Sequence, residues 1–252
     1  MVLWNRMTAE QLRAKAEADA IVILPVASTE QHGPHLATGV DDILCSEICR
    51  RAAERLVGKG VPVVVAPTLW AGLAEHHVAF GGSFTLSVAT YHAILHDLCG
   101  SIIRAGFKRI IIVNGHGGNI TALNAFSAEL TRDVGAPIAI ASYWILAEEA
   151  FGAILEDQRS ILHACEGETS MMMSLRPELV DQSRLGEAVG PQAQRAGSVL
   201  NQPLHRWRSF KELTATGVFG DARRATPEKG ERLVEAAADA LASRLARGEP
   251  WD

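Results

Sequence analysis

Long apolar runs are missing from this chain of 252 residues. No stretch approaches the roughly 20 residues a bilayer span needs, and Met1 to Arg13 carries charges where an export signal would be apolar. A soluble, unexported, cytoplasmic protein is expected. Cysteine is scarce: Cys45, Cys49, Cys99 and Cys165 have no zinc-knuckle spacing and are too few to staple a chain this long, which fits a reducing compartment. An excess of positive charge is also missing. Lys plus Arg number 24 against 29 Asp plus Glu, a formal charge of −5, so neither nucleic acid nor a membrane surface is an expected partner without a local basic stripe. None is found, because Arg206, Arg208 and Lys211, and then Arg223 and Arg224, are each followed by acidic residues and read as a solvated face. The absence of a G-x-S-x-G elbow disfavours a serine hydrolase. No repeat, low-complexity tract or linker divides the chain, so residues 1–252 read as one domain.

What is present is a chain of 48% hydrophobic residues, enough for a sizeable core. Short Ile- and Val-rich runs at Ala20 to Val26, Val61 to Ala66, Arg109 to Val113 and Ile138 to Tyr143 alternate with segments of helical period. The helical segments are Ala9 to Ala18, Asp42 to Leu56, Ala89 to Ala105, Asn119 to Val134 and Pro227 to Arg247. Alternation of this kind predicts an α/β fold with a mostly parallel sheet covered by helices on both faces. Thr226 before Pro227 supplies a hydroxyl cap and a fitting first-turn residue for the last helix. Leu146 to Leu162 and Gly186 to Gly220 lack a clear pattern and read as loops that shape a pocket.

Three segments can carry chemistry. Leu24 to His35 follows the first strand, where open α/β sheets bind ligands. Glu30 and His32 are two apart, so both can approach one centre from extended chain, and Asp41 follows where a helix begins. This donor set suits Zn²⁺ or Mn²⁺, and a carboxylate can bridge two such ions. The plainer alternative is a polar loop with Asp41 or Asp42 capping the helix. The second segment, Val113 to Asn119, ends another strand with His116 among glycines. It departs from the G-x-G-x-x-G order of a dinucleotide loop, although a nucleotide-binding α/β protein stays open as a rival. The third, His163 to Ser170, carries Glu166 and Glu168 into an apolar run, which is unfavourable unless the charges are paired or metal-bound; an ordinary helix start with Thr169 or Ser170 as cap is the alternative. Two weaker features are His76 and His77, read as exposed loop histidines or a substrate-side loop, and His92 and His96, placed on a solvent-facing helix.

Taken together, the run from Leu24 to His35 with Gly39-Val40-Asp41, the Asn114 to Asn119 turn and the segment after His163 resemble the creatininase family of metal-dependent amidohydrolases. The resemblance spans about Ala20 to Leu175 and extends toward the last helix. It implies a three-layer α/β/α fold, a centre of two divalent ions, Zn or Mn, and a homo-oligomer, often a hexamer. Residue by residue it implies that Glu30, His32, Asp41 and His116 are metal ligands with Asp41 as the bridge, that Glu168 completes the centre, and that His163 lies near the substrate. Creatininase itself carries a further glutamate ligand two residues beyond the strand-end histidine; this chain has Gly118 there. It also lacks a tyrosine and a tryptophan found near the creatininase substrate, with Gly117 and Arg159 in their places, which argues against creatinine. The expected activity is hydrolysis of a non-peptide C–N bond in a small, cyclic amide by a metal-bridging hydroxide, with His163 or Glu168 moving the proton to the leaving nitrogen. A peptidase or a formamide hydrolase is the alternative within the family.

Overall fold

The computed structural model describes residues 1–191, 204 and 206–251. Its sheet is built from four strands, Ile21–Val26 (β1), Val63–Val65 (β2), Arg109–Asn114 (β3) and Ile138–Ser142 (β4). They lie in the order β2-β1-β3-β4 and are all parallel, a stricter version of the expected topology. The register sets Val22 beside both Val64 and Ile110, and Ile110 beside Ile138. Ile21, Ile23, Val65, Ile111 and Val113 pack on one face, while Val22, Leu24, Val64, Ile110 and Ile112 pack on the other. Both faces are therefore apolar, as buried parallel strands require.

The helices are Ala9–Glu17 (α1), Val40–Gly58 (α2), Val88–Arg104 (α3), Ile120–Val134 (α4), Tyr143–Leu146 (α5), Glu148–Ile154 (α6), Glu166–Leu175 (α7), Phe210–Leu213 (α8) and Pro227–Ala246 (α9). Helices α1, α3 and α4 cover one face with Ala16, Leu95, Cys99, Leu123 and Leu130. The other is covered by α2, α7 and α9 through Leu44, Ile48, Met171, Val234 and Leu241. The result is the three-layer α/β/α architecture. Cys45 and Cys49 are core packing, and all four cysteines are free and buried. None of the described helices is long and apolar enough to cross a membrane.

Local chemistry explains the helix ends. Thr226 Oγ1 accepts the Lys229 N–H at 3.2 Å ahead of Pro227, as its sequence implies. The 146–162 segment departs from expectation, since α6 occupies Glu148–Ile154 and buries Phe151; two turns are too short for a helical period to stand out. Within 186–220, α8 begins with a capping box between Ser209 and Glu212, whereas residues 192–203 and 205 lie outside the described residues. Helix α7 is buried from Glu166 to Met173. Its Glu166 carboxylate accepts the amides of Glu156 and Asp157 and pairs with Lys229 Nζ at 2.6 Å, which satisfies a charge that would otherwise be costly to bury.

Helix α9 crosses α7 at Gly230, where an added Cβ would stand 1.9 Å from the Ser170 carbonyl oxygen. Gly230→Ala is expected to destabilise the fold by about 1–3 kcal/mol, the usual range for overpacking. Urea unfolding checks this, and an unchanged midpoint would show that the helix pair separates freely.

Candidate metal centre and active site

All three sequence segments meet at the C-terminal ends of β1 and β3. After β1 the chain turns back so that the Glu30 N–H donates to the Thr38 carbonyl at 3.0 Å, which directs Glu30 and His32 inward. Asp41 sits in the first turn of α2, but that helix is capped at Gly39 without any side-chain bond. The capping alternative for Asp41 therefore gives way to a side chain turned into the centre. After β3, Asn114 closes the turn: its Nδ2 donates to the His116 carbonyl at 2.8 Å and its Oδ1 accepts the His116 N–H at 3.1 Å. That amide is engaged internally and the His116 ring projects into the site, where a phosphate loop would present an open amide.

Glu168 comes from the first turn of α7. Neither Thr169 nor Ser170 caps this helix: Thr169 Oγ1 lies 2.8 Å from His35 Nε2, and Ser170 Oγ accepts the Thr226 N–H. Just before it, Ala164 adopts φ +51°, a left-handed conformation uncommon outside glycine and typical of functional sites. The turn aims the Ala164 N–H at Glu168 Oε2, 2.5 Å away, and leaves His163 facing Glu30.

The side chains interlock. His116 Nδ1 is 3.1 Å from Glu30 Oε2 and 3.1 Å from Asp41 Oδ2. The other Asp41 oxygen, Oδ1, is 3.2 Å from His32 Nε2, which is 3.9 Å from Glu168 Oε2. Asp41 thus faces two donor groups, one through each oxygen. Three trios of potential ligand atoms lie within 4.8 Å of one another: Glu30, Asp41 and His116; His32, His163 and Glu168; Glu30, His77 and His163. Among the described residues, Glu30 Oε2, His32 Nε2 and Asp41 Oδ2 are buried without a hydrogen-bond partner. Buried polar atoms are normally satisfied, so convergent lone pairs of oxygen and nitrogen fit divalent cations of the Zn²⁺ and Mn²⁺ kind.

Electrostatics lead to the same place. Burial opposes charge on His32, yet Asp41, with Glu168 and Glu30, outweighs it and raises the imidazole to about 9. His116 is likewise raised well above its usual value, against burial, by Glu30 and Asp41. Burial favours a protonated Glu30, but His116 and His77 hold its carboxyl well below the usual range. Burial pushes Glu168 up to about 7, with His32 opposing and Asp41 assisting. Protons on His32 and His116 supply the positive charge that these carboxylates demand.

Two histidines exceed their sequence reading. His77 is buried rather than exposed, with Nε2 3.1 Å from Glu30 Oε1. The His76 ring stacks on His116 with centroids 5.6 Å apart, and burial holds it at about 3, hence neutral. The signal available was a His-His pair beside a glycine loop, which resembles many solvated loops. His92 stands apart on α3, 3.5 Å from Glu129, and His96 is exposed beside Asp97; neither joins the centre. The site opens to a cavity walled by Trp144, Ile161, Leu162, Phe210 and Phe219, so both patternless regions contribute to it.

Gly118 stands against His116. A Cβ there would lie 2.4 Å from His116 Nε2, 2.5 Å from the Leu73 carbonyl oxygen and 2.7 Å from His76 Cε1. This chain has no room for a side chain at that position unless both His116 and the Leu73 carbonyl shift. Gly118→Ala is expected to reduce activity and bound metal about 10- to 100-fold, as loss of ligand support does. Metal titration of the folded variant checks this; unchanged affinity would mean that the turn relaxes without moving His116.

Comparisons with known proteins agree with this fold. The family model for creatininase, described as creatinine amidohydrolase, matches residues 5–245. Mycofactocin precursor peptide peptidase of Mycobacterium ulcerans is 29% identical over 236 residues, covering 91% of this chain and 86% of the relative. Creatinine amidohydrolase of Pseudomonas putida is 27% identical over 271 residues, covering 97% and 96%. 3-Dehydro-scyllo-inosose hydrolase of Thermotoga maritima is 29% identical over 259 residues, covering 95% and 81%. Among solved structures, a creatininase superposes with TM-score 0.84 at 26% identity over 99% of this chain and 98% of its own. A manganese form gives 0.80 at 25% identity with 99% of each chain covered, and a mutant of Zn–Zn type gives 0.78 at 27% identity with 98% of each covered.

Proposed function

The chain belongs to the creatininase family of amidohydrolases, and from that membership we propose that it hydrolyses a non-peptide C–N bond in a small, cyclic amide, with Glu30, His32, Asp41, His116 and Glu168 holding two divalent ions, Zn²⁺ or Mn²⁺. The observation that carries the reading is the convergence of buried ligand atoms of Glu30, His32 and Asp41 that have no partner in hydrogen-bond geometry, with Asp41 presenting one oxygen to each side. Bound there, two such ions lower the pKa of water toward neutrality and polarise a substrate carbonyl. His163 supplies the proton transfer. Its Nε2 donates to the Gln31 carbonyl at 2.8 Å, so the Nδ1 lone pair faces the centre. Burial, with His32 and His77 nearby, holds the ring well below its usual pKa and therefore neutral. Nδ1 can then take a proton from the attacking water and return it to the departing nitrogen. Glu168, with one oxygen tied to Ala164 N–H, serves better as ligand than as free acid. Phe210, Phe219 and Trp144 wall the cavity and limit water access.

One feature favours a second reading, a peptidase. The cavity continues past His76, Gly117, Gly118 and Phe210 into an outer groove lined by Leu73, Leu86, Trp207 and Arg208, longer than a ring amide needs. The test is elemental mass spectrometry on protein purified without added metal or chelator, followed by a panel of cyclic amides, formamides and short peptides. About two Zn or Mn per chain with turnover of an amide is the expected result. Selective peptide cleavage moves the assignment to the second reading, and a protein that neither carries nor takes up metal overturns both. The homo-oligomer belongs to the same proposal and is checked by light scattering.

A further inference from the structure

Gln31, between Glu30 and His32, is buried at 8% exposure, and its side chain takes no part in the proposed metal binding or proton transfer. Its side-chain orientation is set from both ends. Oε1 accepts the Gly33 N–H at 2.9 Å, and Nε2 donates to the Gly217 carbonyl at 3.1 Å; a backbone amide can only donate and a carbonyl only accept. The second hydrogen on Nε2 points to His77 Nδ1, 2.8 Å away. His77 Nδ1 must then be the acceptor, which in a neutral ring places the hydrogen on Nε2, where it faces Glu30 Oε1 at 3.1 Å. The backbone of the same residue treats His163 in the opposite sense. The Gln31 carbonyl takes the His163 Nε2–H at 2.8 Å, so the 3.0 Å approach of Gln31 Nε2 to that nitrogen brings two donors together and is no hydrogen bond. The lone pair of His163 therefore sits on Nδ1, 3.6 Å from Glu30 Oε1.

We propose that Gln31 is a positioning residue that sets the Nε2–H tautomer on both His77 and His163 while the two rings face the centre through different nitrogens, making His77 a hydrogen-bond donor to Glu30 instead of a metal ligand and leaving His163 with its basic Nδ1 toward the centre. The Glu30, His77 and His163 trio has the spacing of a cation site, but a nitrogen that carries hydrogen cannot coordinate. Glu30 Oε1 is thereby held by His77, and Oε2 remains for the ion shared with Asp41 and His116. The arrangement is the outer-shell hydrogen bonding that orients metal ligands. It rests on the proposed metal centre for its catalytic consequence, whereas the tautomers themselves do not depend on it.

The test is neutron diffraction of the deuterium-exchanged full chain, with and without zinc. Deuterium on His77 Nε2 and His163 Nε2, with bare Nδ1 on both, is expected in each state. A bare His77 Nε2, or zinc bound to it, overturns the proposal. The companion variant is Gln31→Glu, whose carboxylate offers His77 Nδ1 an acceptor and should move the hydrogen to that nitrogen. In that variant kcat is expected to fall about 10- to 100-fold with KM and zinc content near wild type. Unchanged kcat in a folded, zinc-loaded variant counts against the role, as does loss of zinc together with activity. Failure of the amidohydrolase reading shows differently, as the expected deuterium pattern in a protein that turns over no amide.

Discussion

Asp41→Asn is expected to lower kcat/KM by more than about 100-fold, beyond the usual 10- to 100-fold effect of removing a group that merely supports a ligand, and to leave no stable pair of ions. The reason is geometric. Asp41 Oδ2 faces His116 and, through it, the Glu30 side, whereas Oδ1 faces His32 and the Glu168 side. A neutral amide keeps the shape but offers only one oxygen and half the ligating character, so one ion at most retains its full set of donors. In the metal-free protein the same change removes the largest electrostatic cause of the raised His32 pKa. The fold itself should tolerate the substitution, because the α2 start does not rely on Asp41 as a cap. Elemental analysis and steady-state kinetics on the folded variant decide the matter, and two ions with wild-type turnover would sink the shared-ligand reading.

Metal removal carries the second large effect. A ligand present at 1,000 times its Kd stabilises a protein by about 4 kcal/mol, which for a chain of this size raises Tm by roughly 8–16 °C at about 2–4 °C per kcal/mol. The gap should widen with pH. In the metal-free state His32 is raised from 6.5 to about 9, so its stabilising contribution is full below pH 6.5 and fades as pH rises through 9. Glu168 is raised from 4.5 to about 7; as an acid with an elevated value, it makes the metal-free fold less stable as it ionises on passing from pH 4.5 to above 7. Both groups therefore weaken the metal-free protein between about pH 5 and 9. The metal requires the opposite protonation, a neutral imidazole and an ionised carboxylate. Zinc uptake at pH 7 should accordingly release protons from His32 and His116 and part of one from Glu168, with affinity rising up to about tenfold per pH unit for each proton released. Calorimetry in buffers of different ionisation enthalpy measures this release. Uptake without proton release at pH 7 would contradict the charge arrangement.

Other residues act at a distance from these two effects. Gly118 leaves space for His116 and His76, and Gly230 lets α9 approach α7, the helix that carries Glu168. Helix α7 is instructive because its buried carboxylates diverge in role. Glu166 is neutralised by Lys229 and by two backbone amides, while Glu168, two residues on, meets His32 and a single amide. From the segment alone, either one fits a paired structural charge or a site carboxylate.

The strands, the principal helices and the three segments that carry Glu30, His32 and Asp41, His116, and His163 and Glu168 were legible in the amino-acid order. Hydrophobic period and turn chemistry depend on near neighbours along the chain, and strand ends of parallel sheets face a common edge. The tertiary structure decided that His77 leaves the solvent and holds Glu30, that Gln31 links residues 33, 77, 163 and 217, that Phe210 and Phe219 wall the cavity, and that α6 forms where a loop was expected. Four separate connections fold over the same sheet edge to make those contacts. Their spacing, and the direction in which each hydrogen bond runs, arises from how the connections pack and has no counterpart in any periodicity of the chain.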